Sequence, residues 1–371
     1  MRIALVVAGG VDRSGRERVT PTLLWLIERL ARRHDVHVFV LHYYAEPCTY
    51  SLLGATVHDI GRVDGLPGIR RRLRRQRLDA TVAAHGPFDV LHAYQGMPAA
   101  VALPMARRIG LPVVATLDSG ELTSIADIAY GMQRRWLGRR DVAAIVRSAA
   151  RMTVGTEFMA RQLSGIATRA PAIVPLGIDT SCFRPAAPLD GPPWRLLRVG
   201  SLNHVKDTPT LLRAVGILVA RGLDVHLDVV GEDTMGGRMQ RLAAEMQLEA
   251  RVTFHGFQPT DRLSGFYERA HLHVVSSRHE AAGVVVLEAA AAGVATVGTA
   301  VGYVADWHPE RALAVPVRHS QALATGIADL IQDPIRRLRI AAAARAWTLV
   351  HDADWTAEQF ERIYLEAAAR S

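Results

Sequence analysis

From its second residue the chain alternates short apolar runs with longer amphipathic ones. Arg2 to Ala8 reads as a buried strand closed by Gly9-Gly10. The polar loop VDRSGRERV then leads to a helix near Thr20 to Arg33, where Pro21 suits the first helical position. Strands are predicted at Asp35 to Tyr43 and Ala55 to Ile60, and a helix from about Gly68 to Ala84. The alternation continues with strand Asp89 to Tyr94, helix Pro98 to Ile109, strand Pro112 to Leu117 and helix Trp136 to Ala150. Strand Met152 to Gly155, a helix to about Ala167 and strand Ala172 to Leu176 complete the series. Continuous apolar strands separated by helices predict a parallel sheet covered on both faces, hence one doubly wound α/β domain over 1–177.

Between 178 and 193 the pattern lapses into the proline-dense IDTSCFRPAAPLDGPP, an ordered linker rather than a core element. A second alternation fills 194–350. Strands are expected at Trp194 to Leu202, Val225 to Val230, Val252 to Phe257, His271 to Ser276, Ala295 to Thr299 and Leu313 to Val317. Helices fall at Thr208 to Arg221, Met235 to Met246, Asp261 to Arg269, after Glu280, and from Gln321. Two amphipathic helices split near His351 to Asp354 end the chain, with 351–371 as a separate terminal segment. Two similar Rossmann-like halves imply a cleft between them, where ligands usually bind.

Composition narrows the class. The 371 residues are 49% hydrophobic and 22% charged, an ordinary globular balance with room for two cores. Cys48 and Cys182 stand far apart, giving neither a disulfide framework nor paired metal-ligand spacing, so a reducing, cytoplasmic compartment is expected. MRIALVVA is too short for a signal peptide and lacks a cleavage-like continuation. The apolar window from Val284 to Val301 is interrupted by Glu288 and is not read as membrane-spanning. A formal charge of +8 favours acidic partners without choosing among nucleotides, nucleic acid and membrane.

The most informative stretch is HEAAGVVVLEAAAAGVATVG, residues 279–298. It sets Glu280 and Glu288 eight residues apart, with Gly283 between them. With a helix starting near Ala282, Glu280 lies in the preceding loop and Glu288 roughly two turns inside. The helix start gathers unpaired N–H groups that attract phosphate, and Gly283 lets a ligand approach the backbone. Two hydroxyl acceptors and one anion cradle suit a nucleotide sugar. The plainer reading keeps the alanines and valines as a buried helix on a sheet and Glu280 as a surface charge. Glu288 resists it, because a carboxylate inside so apolar a run is costly unless something pairs with it. Elsewhere the glycine loop after the first strand lacks both GxGxxG and GxxxxGK[ST]. His279-Glu280 fails as HExxH because position 283 is glycine, and His271 and His273 alternate as strand residues do. Asp352-Ala353-Asp354 imitates a metal-binding DxD but reads as a turn and cap, and Ser119-Gly120 lacks the surroundings of a nucleophile elbow.

VGSLNHVKDTPTLLRAV (199–215), VVGED (229–233), VTFHGFQP (252–259) and the Glu280, Glu288 pair together resemble the family 4 glycosyltransferases, retaining enzymes of GT-B fold. VPLGIDTSCFRP (174–185) is similar to their interdomain linker. The likeness covers the second half well; in the first half it rests on organisation and on pieces such as TLDSGEL (116–122). It implies a nucleoside-diphosphate sugar held mostly by the second domain, no cofactor and no divalent metal. Glu288 would bind the ribose hydroxyls, Glu280 the donor sugar, and Lys206 the diphosphate, with N–H groups around Gly283 and Val284. Phe257 and Gln258 would lie beside the base, and the final helix would return to the first domain. Two positions depart from the pattern. Ser201 stands where the family usually carries an arginine, so either Lys206 and the helix start suffice or the first-domain loop at Gly15 and Arg16 supplies charge. Asp118 replaces a histidine facing the donor sugar; it stabilises a developing oxocarbenium or merely caps the next helix.

The expected activity is therefore transfer of a sugar to an acceptor hydroxyl with retention. The rivals are a sugar-nucleotide epimerase of the same architecture, and a nucleotide- or nucleic-acid-binding protein favoured by charge alone. Keeping Lys206 with both glutamates argues against either, since nucleic-acid binding needs no sugar site. One further element stands out. IRRRLRRQRL, residues 69–78, surrounds Ile69 and Leu73 with Arg70, Arg71, Arg72, Arg74, Arg75 and Arg77. This stripe either contacts an anionic membrane at its inner face or is a solvated helix whose apolar edge covers the sheet.

Overall fold

The computed structural model describes residues 1–167, 169–185 and 190–369. They form two compact α/β units, Met1–Gly177 with Ala353–Ser371, and Ile178–Asp352. Part of the expected linker, 186–189, and the last two residues of the expected terminal segment lie outside the described residues.

In the first unit the elements run β1 (Arg2–Val7), α1 (Pro21–Ala31), β2 (Asp35–Val40), β3 (Cys48–Leu52), β4 (Ala55–Asp59), α2 (Pro67–His85) and β5 (Val90–Tyr94). They continue with α3 (Gly96–Arg108), β6 (Val113–Leu117), α4 (Trp136–Ser148), β7 (Arg151–Val154), α5 (Glu157–Leu163) and β8 (Ala172–Ile173). The sheet order is β3-β4-β2-β1-β5-β6-β7-β8, and every pairing except β3 with β4 is parallel. Strands buried along nearly their whole length, such as VLHAY and VVATL, are what a sheet covered on both faces requires.

β3 is absent from the sequence reading. Thr49 and Ser51 dilute its apolar signal, and its hairpin turns at Leu53-Gly54, both with positive φ, a left-handed pair usually written Asn-Gly. A second correction concerns α2. Only Leu78 and Val82 of this helix are buried, while Ile69 is 55% exposed and Leu73 is also exposed, so that edge does not cover the sheet.

The second unit runs β9 (Trp194–Val199), α6 (Thr208–Ala220), β10 (Val225–Val230), α7 (Arg238–Glu245), β11 (Val252–Gly256), α8 (Thr260–Glu268) and β12 (Leu272–Val275). Then come α9 (Val285–Ala291), β13 (Thr296–Thr299), α10 (Gly302–Trp307), β14 (Leu313–Val315), α11 (Ser320–Gln332) and α12 (Pro334–Val350). Its sheet, β11-β10-β9-β12-β13-β14, is parallel throughout. The short helix α10 was not read from the sequence.

The last helix, α13 (Ala353–Ala368), belongs to the first unit. It buries Ala357, Phe360, Ile363, Tyr364 and Ala367 in the core formed by β1, β2 and α1. Tyr364 Oη and His92 Nδ1 are 2.7 Å apart, Arg151 Nη2 donates to Glu366 at 2.9 Å, and Arg29 pairs with Asp354 at 3.2 Å. The Asp352-Ala353-Asp354 motif thus opens a helix and supplies an ion-pair partner. No helix among the described residues is long and apolar enough to cross a membrane.

Candidate functional site

In the second unit the strand order reverses between β9 and β12: β10 and β11 extend one way from β9, and β13 and β14 the other way from β12. The carboxyl ends of strands at such a reversal form the usual ligand crevice of an open α/β sheet. Two loops leave the sheet there, one carrying Gly200, Ser201 and a 3-10 turn at His204–Lys206, the other running from Ser276 to α9.

Asn203 caps the first turn, its Oδ1 accepting from the N–H groups of Val205 and Lys206 at 3.1 Å each. The loops are stitched together by Ser276 Oγ donating to Lys206 O at 2.8 Å and by Arg278 N donating to Val205 O at 2.7 Å. From this frame Lys206 Nζ donates to Glu280 Oε1 at 2.6 Å, and Ser277 Oγ donates to the same oxygen at 2.5 Å. Burial alone would push the Glu280 carboxyl up, but the Lys206 charge and the two hydrogen bonds outweigh it and hold the group below the usual carboxylate range. The plainer reading of Glu280 as a surface charge is therefore corrected: it is a largely buried, paired carboxylate.

Gly283 has φ +84°, a left-handed conformation that favours glycine. It delays α9 until Val285, with Val284 as N-cap, so Glu288 sits in the first turn rather than two turns inside. Gly302 holds the loop from the other side: a Cβ there would come within 2.3 Å of Ala282 O and 3.2 Å of Glu280 Cβ. Tyr303 N donates to the same Ala282 carbonyl at 2.9 Å. Position 302 can therefore hold only glycine while Glu280 keeps its place.

Glu288 is 5% exposed, and its partner is Tyr267, whose hydroxyl donates to Oε2 at 2.8 Å. Burial raises the Glu288 carboxyl to about 7 despite that bond, and raises the Tyr267 phenol as well. Behind Tyr267 lies Phe183, an edge-on ring at 5.8 Å and 2% exposed, so the F-x-P of the linker-like segment packs beneath the ribose candidate. Neither residue was singled out for the site from sequence. A tyrosine one helix upstream of an isolated apolar-run glutamate was the available signal.

Arg198 was also missed. It points from β9 into the unit, 3% exposed, and donates to the carbonyls of Gly200 and, at 2.8 Å, Ser201. Burial lowers its guanidinium to about 10, partly offset by the charge of Glu280. The second unit thus carries a second cation near Lys206, although Ser201 itself contributes only its carbonyl. Phe257 is 52% exposed beyond β11, and Gln258 Nε2 donates to His255 O at 3.0 Å. His271 Nδ1 accepts from Arg195 N at 2.9 Å, and His273 lies 3.1 Å from Thr296 Oγ1, local strand partners both.

In the first unit the order reverses between β1 and β5. Gly15 and Arg16 lie in the loop after β1, with Gly15 at φ +64° and Arg16 exposed. Asp12 organises this loop, accepting from Ser14 N, Arg18 Nη2 and Tyr44 Oη at 2.9 Å each. Asp118 follows β6 and accepts from Tyr94 Oη at 2.6 Å. The cap reading of Asp118 fails, because the next helical turn starts at Ala126 with Ile125 as its N-cap. The staple of this loop is Glu121, which accepts from Gly96 N at 2.9 Å and Ser119 N at 2.7 Å.

Of the α2 arginines, Arg71 donates to both oxygens of Asp141 at 2.8 and 2.6 Å, and Arg75 donates to Ala100 O at 2.9 Å. Arg77 donates to Ile60 O and Arg62 O at 3.1 and 3.2 Å, and Arg74 is partly buried. Arg70 and Arg72 are exposed.

Known proteins share both halves. The family described as glycosyl transferases group 1 matches residues 181–347, and the glycosyl transferase 4-like domain matches 19–178. The D-inositol 3-phosphate glycosyltransferase of Acidothermus cellulolyticus is 30% identical over 316 residues, covering 76% of this chain and 68% of that protein. The phosphatidyl-myo-inositol mannosyltransferase of Mycobacterium tuberculosis is 27% identical over 305 residues, covering 76% and 74%. Among solved structures, sucrose-phosphate synthase from Thermosynechococcus elongatus superposes with a TM-score of 0.86 at 21% identity over the whole of both chains. Anabaena HepE in complex with UDP and glucose gives 0.74 at 17%, covering 98% of this chain and 99% of its own. Two α/β units with almost wholly parallel sheets, each half matched by a glycosyltransferase family and most of the chain by a 30% identical glycosyltransferase, place this chain in the group 1 glycosyltransferases of GT-B fold, enzymes that transfer sugars.

Proposed function

We propose that this glycosyltransferase takes its sugar from a nucleoside diphosphate held at the carboxyl edge of β9 and β12, retains the anomeric configuration, and needs no divalent metal. The observation that carries this reading is the partly buried Lys206–Glu280 pair at the strand reversal, with Glu288 in the adjoining helical turn. An ammonium has three donors, and Glu280 uses one. The other two are available to a diphosphate leaving group, with Arg198 adding positive field from beneath. Glu280, kept ionised, accepts from sugar hydroxyls, and Glu288 accepts from the ribose. In the first unit Asp118 is the anion assigned to the developing oxocarbenium, and Gly15 and Arg16 the loop assigned to the donor phosphates. Phe257 offers an exposed ring face to the base beside Gln258. Stabilisation of the leaving diphosphate is the main rate effect assigned to the protein.

Two of the similar proteins are named for inositol 3-phosphate and phosphatidyl-myo-inositol, and the loop after β1 carries Arg13, Arg16 and Arg18. A phosphorylated polyol is accordingly the acceptor class to test first. Thermal stabilisation by UDP-, GDP- and ADP-sugars identifies the donor, and transfer to inositol phosphate or phosphatidylinositol in excess chelator identifies the acceptor. Loss of transfer on chelation, or stabilisation by none of the donors, would overturn the proposal.

Contact with an anionic membrane surface is the second reading. Leu66 at the N-cap of α2, Ile69 and Leu73 on α2 and Trp136, 62% exposed, on α4 offer apolar side chains, and Arg71 ties the two helices. Arg70 and Arg72 are the cations to replace, because Arg71, Arg75 and Arg77 hold the fold. Ile69→Ser with Arg70→Gln and Arg72→Gln is expected to abolish cosedimentation with anionic vesicles at low salt while leaving the melting temperature unchanged. Equal partition of the wild type to neutral vesicles would remove this reading.

A further inference from the structure

Three histidines that sugar transfer does not use meet in the first unit: His37 on β2, His58 on β4 and His85 in the last turn of α2. One ligand atom from each lies within 4.8 Å of the others. His37 Nδ1 and His58 Nε2 face each other at 2.9 Å, and the His85 ring stacks on His58 with centroids 4.0 Å apart. We propose that His37 Nδ1, His58 Nε2 and a ring nitrogen of His85 bind a divalent first-row transition metal of the zinc class, with a fourth position left to water.

The outer nitrogens support those ligand atoms. His37 Nε2 lies 3.2 Å from Asp35 Oδ1, a carboxylate that accepts a hydrogen bond from Nε2–H and so favours the tautomer that leaves Nδ1 with its lone pair. Such a carboxylate behind an imidazole is the common outer partner of a metal-bound histidine. Arg2 Nη2 also approaches His37 Nε2 at 3.4 Å, but Arg2 is itself paired with Asp35 at 2.7 Å. His58 Nδ1 lies 3.3 Å from Thr49 Oγ1, which accepts when Nδ1 carries the proton and frees Nε2. In that tautomer two lone pairs oppose each other, a contact relieved by a shared cation. Without metal, the proton sits on His58 Nε2 and Thr49 donates to Nδ1. Metal entry moves the proton to Nδ1 and turns the threonine hydroxyl, so the exchange balances within the site.

Nitrogens about 2.0–2.1 Å from a tetrahedral zinc stand roughly 3.3 Å apart. The facing rings of His37 and His58, within 12° of parallel, must therefore open by a few tenths of an ångström and also tilt so that both in-plane lone pairs converge on the ion. His85, partly exposed before Gly86, must swing out of its stack on His58 to aim a ring nitrogen at the ion, and its exposure supplies the entry path. A bound ion would clamp the end of α2 to β2 and β4, neighbours in register with His37 opposite Thr56 and Phe39 opposite His58. The assignment concerns binding and stability, and it leaves the metal-free transfer reaction as proposed.

The test uses the full chain without a histidine tag, stripped by chelator and titrated with cobalt. One equivalent giving the visible bands of a four-coordinate site, displaced by zinc, is expected. Zinc should also raise the melting temperature. His85→Ala, a change at a partly exposed helix end, should weaken cobalt binding by more than about 100-fold and remove the thermal effect, and His58→Gln should do the same. The chain has 15 histidines, so a surface site is the competing outcome. Cobalt binding unchanged in His85→Ala, or no four-coordinate spectrum in the wild type, would overturn the assignment.

Discussion

At the scale of single residues, Lys206 and Glu280 are the clearest case of a chemistry legible in sequence whose arrangement was not. Each was assigned to a different part of the donor, and the structure pairs them at 2.6 Å. Lys206→Ala is therefore expected to do two things. It leaves a largely buried carboxylate without its cation, at a cost of about 3 kcal/mol, the low end for a broken buried pair because Lys206 is one-quarter exposed. It also weakens donor binding. Adding Glu280→Gln should restore stability in urea unfolding but not binding; recovery of both would deny Lys206 its phosphate role. Glu288 offers a pH test. A carboxyl raised from its ordinary 4.5 to about 7 favours the folded state below the lower value, and that contribution is lost as pH rises through the higher one. Between pH 5 and 8 the wild type should lose roughly 2–3 kcal/mol that Glu288→Gln retains. Hydroxyl donors favour the ionised form, so nucleotide-sugar affinity should climb with pH through about 7 in the wild type and stay flat in the variant. A flat wild-type profile would count against the ribose assignment.

At the scale of elements, the candidate site depends on neighbours that no short motif names. The glycine at 283 was read from sequence as a point of close approach, and it also sets where α9 begins. Gly302 begins the unpredicted α10 and packs on the loop that carries Glu280. Gly302→Ala should displace that loop and lower kcat/KM at least about tenfold, with the far-ultraviolet spectrum unchanged. A fully active variant would show that the Glu280 loop tolerates movement. Phe183 and Tyr267 form the other support. Removing only the Tyr267 hydroxyl, as Tyr267→Phe, should cost about 1–3 kcal/mol by leaving Glu288 short of a partner, and should push the Glu288 carboxyl higher still. Melting curves of the two proteins at one pH decide it. The hairpin strand β3 escaped the sequence reading for a related reason: its signal lies in paired backbone geometry at Leu53-Gly54, not in an apolar run.

For the molecule as a whole, the first unit is completed by the end of the chain. Phe360, Ile363 and Tyr364 of α13 belong to the same core as Ile3, Leu5 and Val38 of the sheet. A chain ending at residue 352 should leave that face open and lose cooperative unfolding of the first unit, while the second unit, Ile178–Asp352, keeps its melting transition. A truncated protein with both transitions intact would refute this account. The sequence by itself determined the two α/β halves and the glycosyltransferase likeness, because these depend on the period of apolar positions and on residues close together along the chain. It also singled out Glu280, Glu288 and Lys206. Only the tertiary structure decided that Lys206 neutralises Glu280, that Arg198 lies near them, that Tyr267 answers Glu288, and that His37, His58 and His85 converge. Those meetings join loops and strands far apart in sequence, and the charge a buried group carries is set by what the fold brings against it.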